Sequence, residues 1–315
     1  MKKLLNLVAG PVAAALLCVA TGSPSHAQTT AYISGRGDDL KACTIISPCR
    51  STGHAYGAAG NGGTISCLDA GPYTEAFDTD ASYTLDCRGV VYVAASNYAI
   101  TIENGAVVTI RNVIFDGSAG GVGAVRINGG KVVFENCTFQ NFTQGTGLGV
   151  WFVPTAAGTH LTVTDSVFAN NNSGGGVGGG IIVQPFGGVT ASAVIERTQF
   201  MGNNVGIGAD AATGTALVEV RYSTIANSAL DGIAASAEPG LVASIVVEHS
   251  SSVQNGGNGV SALGAGAYVS LNDSTVDWNA TGLSATNGGV ILSYQNNMIA
   301  GNVHPGVTPV SVSQQ

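Results

Sequence analysis

The chain has 315 residues, and its 46 glycines are about 15% of them, twice the usual share of roughly 7%. Charged residues make up 10% and hydrophobic residues 45%, which excludes a disordered chain and, with so many glycines, disfavours a helical bundle. The 11 basic residues are outnumbered by 19 acidic ones, so no binding to nucleic acid is expected.

The first 27 residues have the features of a secretory signal peptide. Lys2 and Lys3 precede an apolar stretch from Leu4 to Ala20, and the small-residue site 25–27 follows it. The apolar stretch is shorter than the ~20 residues that a membrane span needs. We therefore predict residues 1–27 as a signal peptide, a secreted or periplasmic protein, and no transmembrane segment in the mature chain.

Five cysteines remain after cleavage, and an exported protein can pair them. Cys43 and Cys49 enclose a short loop. Cys67 and Cys87 lie in similar sequence contexts, so their sulfurs can meet if they occupy equivalent positions on adjacent strands. Cys137 then remains, and we expect it to be a buried free thiol. Because the histidines are scattered and no Cys-x-x-Cys pair is present, neither a metal site nor a cofactor is predicted.

An eightfold internal repeat is the strongest feature of the sequence. Each copy reads apolar-x-apolar-x-polar, then x-x-apolar, from Val108–Gly117 to Leu292–Gly301. The polar position recurs every 23 to 32 residues and is suited to a sharp turn, since Asn and Asp tolerate left-handed backbone. Its eight members are Asn112, Asn136, Asp165, Arg197, Tyr222, His249, Asp273 and Asn296.

A second phrase, typically a glycine followed by an apolar residue, lies between the copies, as in Gly180-Ile181-Ile182. Each period thus holds three short alternating segments. This pattern predicts an all-β fold, a single-stranded right-handed parallel β-helix with three strands per coil and roughly ten coils. A β-sandwich should not show eight in-register repeats, and a propeller blade needs about 40 residues.

Alternation along the strands predicts two stacks of apolar side chains inside the coils. The first stack is Ile110, Phe134, Val163, Ile195, Val220, Val247 and Leu271. The second is Phe115, Phe139, Phe168, Phe200, Ile225, Val276 and Ile299. We divide the mature chain into an N-terminal segment and cap (28–62, with a small cap at 51–59), the parallel β-helix (63–310) and a tail (311–315).

The residues resemble a group of secreted bacterial right-handed parallel β-helix proteins. Tyr32–Asp39, the Cys43 and Cys49 pair, and Gly62–Asp69 look like the N-terminal signature of that group. The coil pattern is similar to the wider pectate-lyase-like superfamily, which includes lyases, polygalacturonases, tailspike glycosidases and nonenzymatic adhesins. The group has no assigned activity to transfer, so the resemblance implies a fold and leaves function open.

The resemblance implies a cleft over the first sheet, which the glycine-apolar phrases would form. By alternation, one of its outward rows contains Val153, Gln184, Asp210 and Ser236. The outward rows contain one carboxylate, whereas glycoside hydrolysis needs two and a calcium-dependent lyase needs several oxygen ligands. Catalytic residues are therefore unknown. Side chains on successive coils, about 4.8 Å apart, can line a groove for a few sugar units. The candidate ligand-binding residues are Arg126, Trp151, Gln184 and Asp210, with Phe186 in the following loop.

An outward row of the second sheet alternates in charge. We expect Arg111 to pair with Glu135, and Arg221 to pair with Glu196 and Glu248.

We predict an exported protein that binds a polysaccharide or cell-surface glycan without catalysis. A polysaccharide lyase or glycoside hydrolase acting in the first-sheet groove is the first alternative, and a structural or adhesive rod is the second.

Overall fold

The computed structural model describes residues 29–73, 76–93, 97–103, 105–174 and 178–313. The predicted signal peptide, residues 1–27, lies outside this part of the chain. No helix in the described ranges is long and apolar enough to cross a membrane.

The described chain is a three-sided parallel β-helix, and its strands are numbered here in chain order. Each complete coil contributes one strand to each of three sheets, so neighbouring strands come from successive coils. The first sheet has ten described strands: β4 (Phe77–Thr79), β6 (Tyr98–Ile102), β8 (Gly123–Ile127), β11 (Leu148–Phe152), β14 (Gly179–Val183), β17 (Val205–Ala211), β20 (Ile233–Ala237), β23 (Asn258–Leu263), β26 (Thr281–Thr286) and β29 (His304–Gly306).

The second and third sheets are joined through two long strands, β5 (Tyr83–Val93) and β7 (Val107–Asp116), whose first halves lie in the second sheet. The second sheet also contains β1 (Thr30–Ile33), β2 (Gly63–Cys67), β9 (Lys131–Glu135), β12 (His160–Thr164), β15 (Thr190–Glu196), β18 (Thr215–Arg221), β21 (Ala243–Glu248), β24 (Ala267–Asn272), β27 (Val290–Ser293) and β30 (Val310–Ser311). The third also contains β3 (Pro72–Tyr73), β10 (Thr138–Gln140), β13 (Val167–Ala169), β16 (Gln199–Met201), β19 (Thr224–Ala226), β22 (Ser251–Val253), β25 (Thr275–Asp277) and β28 (Met298–Ala300).

Both predicted internal stacks are confirmed. In the first, Ile110 pairs with Phe134 and the register continues without a shift to Leu271. In the second, the rings of Phe139 and Phe168 are parallel within 8°, with centroids 4.4 Å apart. The aromatic part of this stack ends at Phe200, beyond which aliphatic and serine side chains continue. Burying these side chains on every coil is the main stabilising contribution to the fold.

The turn between the second and third sheets uses left-handed backbone at seven of the eight predicted positions. At the last coil the left-handed residue is Gln295, with φ 67°, so the prediction of Asn296 was wrong by one position. Arg197 and Tyr222 also adopt this conformation, although their side chains do not favour it. The hydroxyl of the next residue in the chain helps to fix the turn, as where Ser223 Oγ accepts from the Thr198 amide at 3.1 Å.

A row of buried asparagines follows the turn between the third and first sheets, and the repeat pattern did not predict it. Asn255 Nδ2 donates to Asn279 Oδ1 at 2.8 Å, and Asn279 Nδ2 donates to Asn302 Oδ1 at 2.9 Å. Each amide also bonds backbone groups, so these buried polar atoms are satisfied. The row joins consecutive coils by side-chain hydrogen bonds parallel to the axis.

The N-terminal end of the core is covered by one helix, α1 (Thr52–Ala59). Ser51 caps it, since Ser51 Oγ accepts a hydrogen bond from the His54 amide at 3.2 Å. Ala55 and Ala59 are buried against β1 and β2. The fold therefore has the predicted small cap, while the boundaries at residues 62 and 310 stay a prediction.

The predicted cysteine pairing is confirmed. Disulfides join Cys43 to Cys49 and Cys67 to Cys87, with Cα atoms 4.6 and 4.5 Å apart. Cys137 is a buried free thiol, and burial raises its pKa to about 12. Its Sγ lies 3.4 Å from the Ile110 carbonyl, in the turn position that serine or threonine occupies on later coils. Such a thiol is not reactive in the folded chain.

Candidate functional site

A cleft of about 410 Å³ lies on the outer face of the first sheet, across β11 to β20. Its floor is low because Gly208 and Ala234 occupy outward positions there. A Cβ atom at position 208 would lie 2.6 Å from Cδ1 of Ile182, so this glycine makes room for the isoleucine side chain beside it. The outward side chains are large on β11 and β14 and smaller on β17 and β20. The cleft therefore has one high wall, on the β11 side.

A chain of hydrogen bonds crosses the cleft along the helix axis. Trp151 Nε1 donates to Gln184 Oε1 at 3.1 Å, and Gln184 Nε2 donates to Asp210 Oδ2 at 2.6 Å. The indole and the carboxylate together fix the orientation of the amide between them. Asp210 Oδ1 forms no hydrogen bond with any described residue, so it is available to a hydroxyl donor in the cleft.

The high wall is an aromatic pair with a cation above it. Tyr98 and Trp151 are stacked with ring centroids 6.2 Å apart, and Arg126 Cζ lies 5.1 Å from the centre of the Trp151 ring. Thr146 Oγ1 donates to a backbone carbonyl, so the Tyr98 hydroxyl donates to Thr146 over 2.9 Å. Burial raises the pKa of Tyr98, and the positive charge of Arg126 opposes that rise.

Arg126 carries a positive charge that no described carboxylate balances within ion-pair distance. Its Nε atom is buried and has no hydrogen-bond partner among the described residues. The cation–π contact holds the guanidinium over the indole ring, and an arginine that lacks a carboxylate partner suits an anionic ligand group. One end of the cleft is therefore cationic and aromatic.

The other end is acidic. Burial raises the pKa of Asp210, the negative charge of Glu238 adds to this, and the Gln184 hydrogen bond opposes it. Glu238 is exposed and lies two residues beyond Ser236, which is in register with Asp210. The cleft thus has one partly buried carboxylate and a second one at its rim.

A sequence profile described as "Right handed beta helix region" matches residues 98–302. The chain belongs to this family. Among solved structures, the chain is similar at low identity to three proteins. They are a pectate lyase (14% identity, 91% of this chain and 77% of that one, TM-score 0.44); a lacto-N-biosidase from Eubacterium ramulus (11%, 85% and 55%, TM-score 0.44); and the A-module of an Azotobacter vinelandii mannuronan C-5 epimerase (15%, 84% and 93%, TM-score 0.45). No curated protein matches the sequence significantly.

The structure of this β-helix brings most of the predicted site residues together. Trp151, Gln184 and Asp210 line the cleft, and Arg126 stands beside it over the indole ring. Phe186 is 37% exposed in the loop after β14 and does not line the cleft. Whether these five residues bind a ligand stays a prediction.

Alternation failed where a strand ends. It places Val153 on the outer face with Gln184, but Val153 is only 2% exposed. β11 stops at Phe152, and beyond that point the chain turns and the two-residue period no longer applies. The prediction that Val153 faces outward was therefore wrong.

Three polar side chains in or beside the cleft were missed: Thr146, which lines it, Tyr98, which is stacked on Trp151, and Glu238, whose charge acts on Asp210. Tyr98 could have been found by extending the glycine-apolar phrase back by one coil, because Tyr98 is in register with Gly123 of the next strand. Glu238 could have been found by extending the outward row past Ser236. Thr146 lies in a loop whose path the repeat does not determine, so no sequence signal points to it.

Two of the expected charge pairs on the second sheet form. Arg111 Nε lies 3.8 Å from Glu135 Oε2, and Arg221 Nε lies 3.3 Å from Glu248 Oε2. Glu196 contacts the neighbouring Arg197 instead of Arg221. These pairs are half-exposed and contribute little to stability.

Proposed function

We propose that this β-helix protein is exported and binds a glycan in the first-sheet cleft without transforming it. The observation that carries the proposal is the hydrogen-bonded row Trp151–Gln184–Asp210, which places an indole, an amide and a carboxylate on successive coils. Carbohydrates present flat C–H faces and many hydroxyls, so an aromatic surface beside fixed hydrogen-bonding groups suits them.

The dimensions of the cleft favour a short oligosaccharide segment. Its volume of about 410 Å³ is within the usual range of roughly 300–1,000 Å³ for small-ligand sites. Arg126 and Asp210 lie three coils apart, which is about 14 Å along the helix axis at ~4.8 Å per coil. In our proposal the Arg126 end takes a carboxylate or a cluster of hydroxyls, and Asp210 Oδ1 accepts from a sugar hydroxyl.

The proposed location outside the cytoplasm is supported by the two disulfides, because disulfides persist in oxidising compartments. The signal-like segment 1–27 supports the same location. A test is N-terminal sequencing of the protein recovered from periplasm and medium, which is expected to begin at Gln28.

Glycan binding is tested with an array of immobilised oligosaccharides, followed by calorimetry on the best ligand. We expect Trp151→Ala to weaken binding by roughly 10- to 100-fold, the equivalent of ~1–3 kcal/mol for a lost aromatic contact and its bonded amide. The matched control is Trp278→Ala, which removes the other tryptophan of the chain; that side chain is 68% exposed and outside the cleft. Equal affinity of wild type and Trp151→Ala, or no array signal at all, refutes the proposal.

A glycoside hydrolase is the second candidate, favoured by one observation. A carboxyl whose pKa is raised beside a second carboxylate is what acid-assisted cleavage of a glycosidic bond requires, and Asp210 and Glu238 meet that description in part. Incubation with a polysaccharide panel would then release reducing ends. Loss of that release in both Asp210→Asn and Glu238→Gln would establish hydrolysis and replace the binding proposal.

A further inference from the structure

An aliphatic tip lies at the N-terminal end of the molecule, in the segment Asp38–Arg50. It consists of Leu40, Ile45 and Ile46, whose side chains are 92%, 60% and 92% exposed. Isolated exposed aliphatic residues are common on protein surfaces, but here three lie within seven residues of the sequence. Ile45 and Ile46 are also at the two tip positions of a hairpin, where polar residues and glycine are usual.

The aliphatic tip is held rigidly. Thr44 and Ser47 exchange two backbone hydrogen bonds of 3.1 and 3.0 Å, which close the hairpin directly behind Ile45 and Ile46. The disulfide between Cys43 and Cys49 closes the base of the hairpin, and both cysteines bond the backbone of β1. The hairpin therefore holds Ile45 and Ile46 away from the core.

The surroundings of the aliphatic tip carry a small excess of positive charge. Arg36, Lys41 and Arg50 are exposed within the 15 residues 36–50, while the whole chain has only 11 basic residues and a net charge of −8. Two carboxylates share the segment. Asp38 lies 4.0 Å from Lys41, and Asp39 accepts hydrogen bonds from the Arg50 and Ser51 amides. The segment 36–50 thus has a formal charge of +1 in an acidic protein.

We propose that the aliphatic tip inserts into the interface of an anionic lipid membrane and docks the β-helix end-on. A bilayer offers an apolar layer directly beneath a plane of phosphates, which matches aliphatic side chains flanked by cations. A bilayer is also deformable, so it can accept a projecting tip without a pocket of matching shape. The acidic remainder of the molecule is repelled by such a surface, so only this end approaches it.

Binding to vesicles tests the proposal, with the chain starting at Gln28 so that the apolar stretch 4–20 cannot bind lipid itself. All described residues are retained in that chain. We expect co-sedimentation with vesicles containing 30% phosphatidylglycerol, weaker binding to pure phosphatidylcholine, and a severalfold loss in 0.5 M salt. The double substitution Ile45→Ser and Ile46→Ser is expected to lower the partition coefficient at least tenfold.

The matched control replaces two exposed aliphatic residues at the other end of the molecule, Val303→Ser with Val310→Ser, which are 76% and 56% exposed. It should change the partition coefficient less than twofold. Insertion itself is tested by Ile46→Trp, whose fluorescence should be quenched by brominated lipid, whereas that of Val303→Trp should not.

Four results would overturn the proposal. They are no binding of the wild type to anionic vesicles, equal binding of the Ile45→Ser and Ile46→Ser variant, no quenching of Ile46→Trp, and a stable dimer in sedimentation velocity that the same two substitutions abolish. The last result would assign the tip to a second copy of the chain. Neither glycan affinity nor the glycan array enters this test, so it is independent of the proposed function.

Discussion

Phe168 lies at the centre of the internal aromatic stack and is the most informative residue to substitute there. Its side chain is fully buried, and its ring is parallel to those of Phe139 at 4.4 Å and Phe200 at 4.8 Å. Phe168→Leu keeps most of the apolar area but removes two stacked pairs. At ~0.5–1.5 kcal/mol per pair, we expect a loss of about 1–3 kcal/mol in unfolding free energy beyond the change in area.

Phe200→Leu provides the comparison. Among the described residues of the stack, Phe200 has one aromatic neighbour, Phe168, and on its other side it pairs with the aliphatic Ile225. This variant should lose about half as much, ~0.5–1.5 kcal/mol. Urea unfolding followed by circular dichroism measures both, with tryptophan fluorescence as a second probe. If Phe168→Leu is no less stable than Phe200→Leu, the stacked pairs do not make the contribution assigned to them.

The substitution also reaches the cleft. The Phe168 ring packs on the backbone of Gly149, where a Cβ atom would lie 2.6 Å from Cδ1 of the ring. Gly149 belongs to β11, the strand that carries Trp151. We therefore expect Phe168→Leu to weaken glycan binding modestly, although Phe168 touches no ligand.

Three further predictions concern the cleft and the cysteines. Asp210→Asn should stabilise the protein at neutral pH and not at acidic pH. Burial raises the folded-state pKa of Asp210, so the native state favours the protonated acid and loses stability as pH rises above the unfolded-state pKa. Melting temperatures across pH measure this effect, and a gain at low pH alone would contradict it. Cys137→Ser should change the melting temperature little, because a hydroxyl fits the same turn position on later coils, and Cys137 should react with a thiol reagent only after unfolding. Cys67→Ser removes the disulfide to Cys87, which is 20 residues away in sequence, and should lower the free energy of unfolding in urea by about 3 kcal/mol. A decrease below about 1 kcal/mol would show that the bridge is dispensable.

The sequence predicted those parts of the fold that depend on regular alternation. The two internal stacks and the glycine-apolar strands of the first sheet were correct because each is a strand position repeated at the same register on many coils. Turn conformations were also predicted, even at Arg197 and Tyr222, since the position in the repeat determines the backbone. In these elements the position outweighs the preference of the individual residue.

Features that depend on loops or on non-periodic contacts were not predicted. Val153 was misplaced because alternation ends with its strand, and Thr146 was missed because its loop has no counterpart in the repeat. The buried asparagines were missed because Asn203 or Asn255 in a turn looks like an ordinary turn residue in sequence. Their burial is a property of the stacked coils.

The lengths of the coils show how such a cleft can vary. The intervals from Asn136 to Asp165 and from Asp165 to Arg197 are 29 and 32 residues, the longest of the repeat, and they contain Trp151 and Gln184. The strands on either side still pair without a shift in register. Extra residues in the loops can therefore deepen or close the cleft while the core stays unchanged, whereas one residue inserted within a strand would turn its apolar side chains outward. Loop length and strand register are thus independent variables in this protein, and a library that randomises only the loops flanking β11 and β14 would sample new ligand specificities on an intact scaffold.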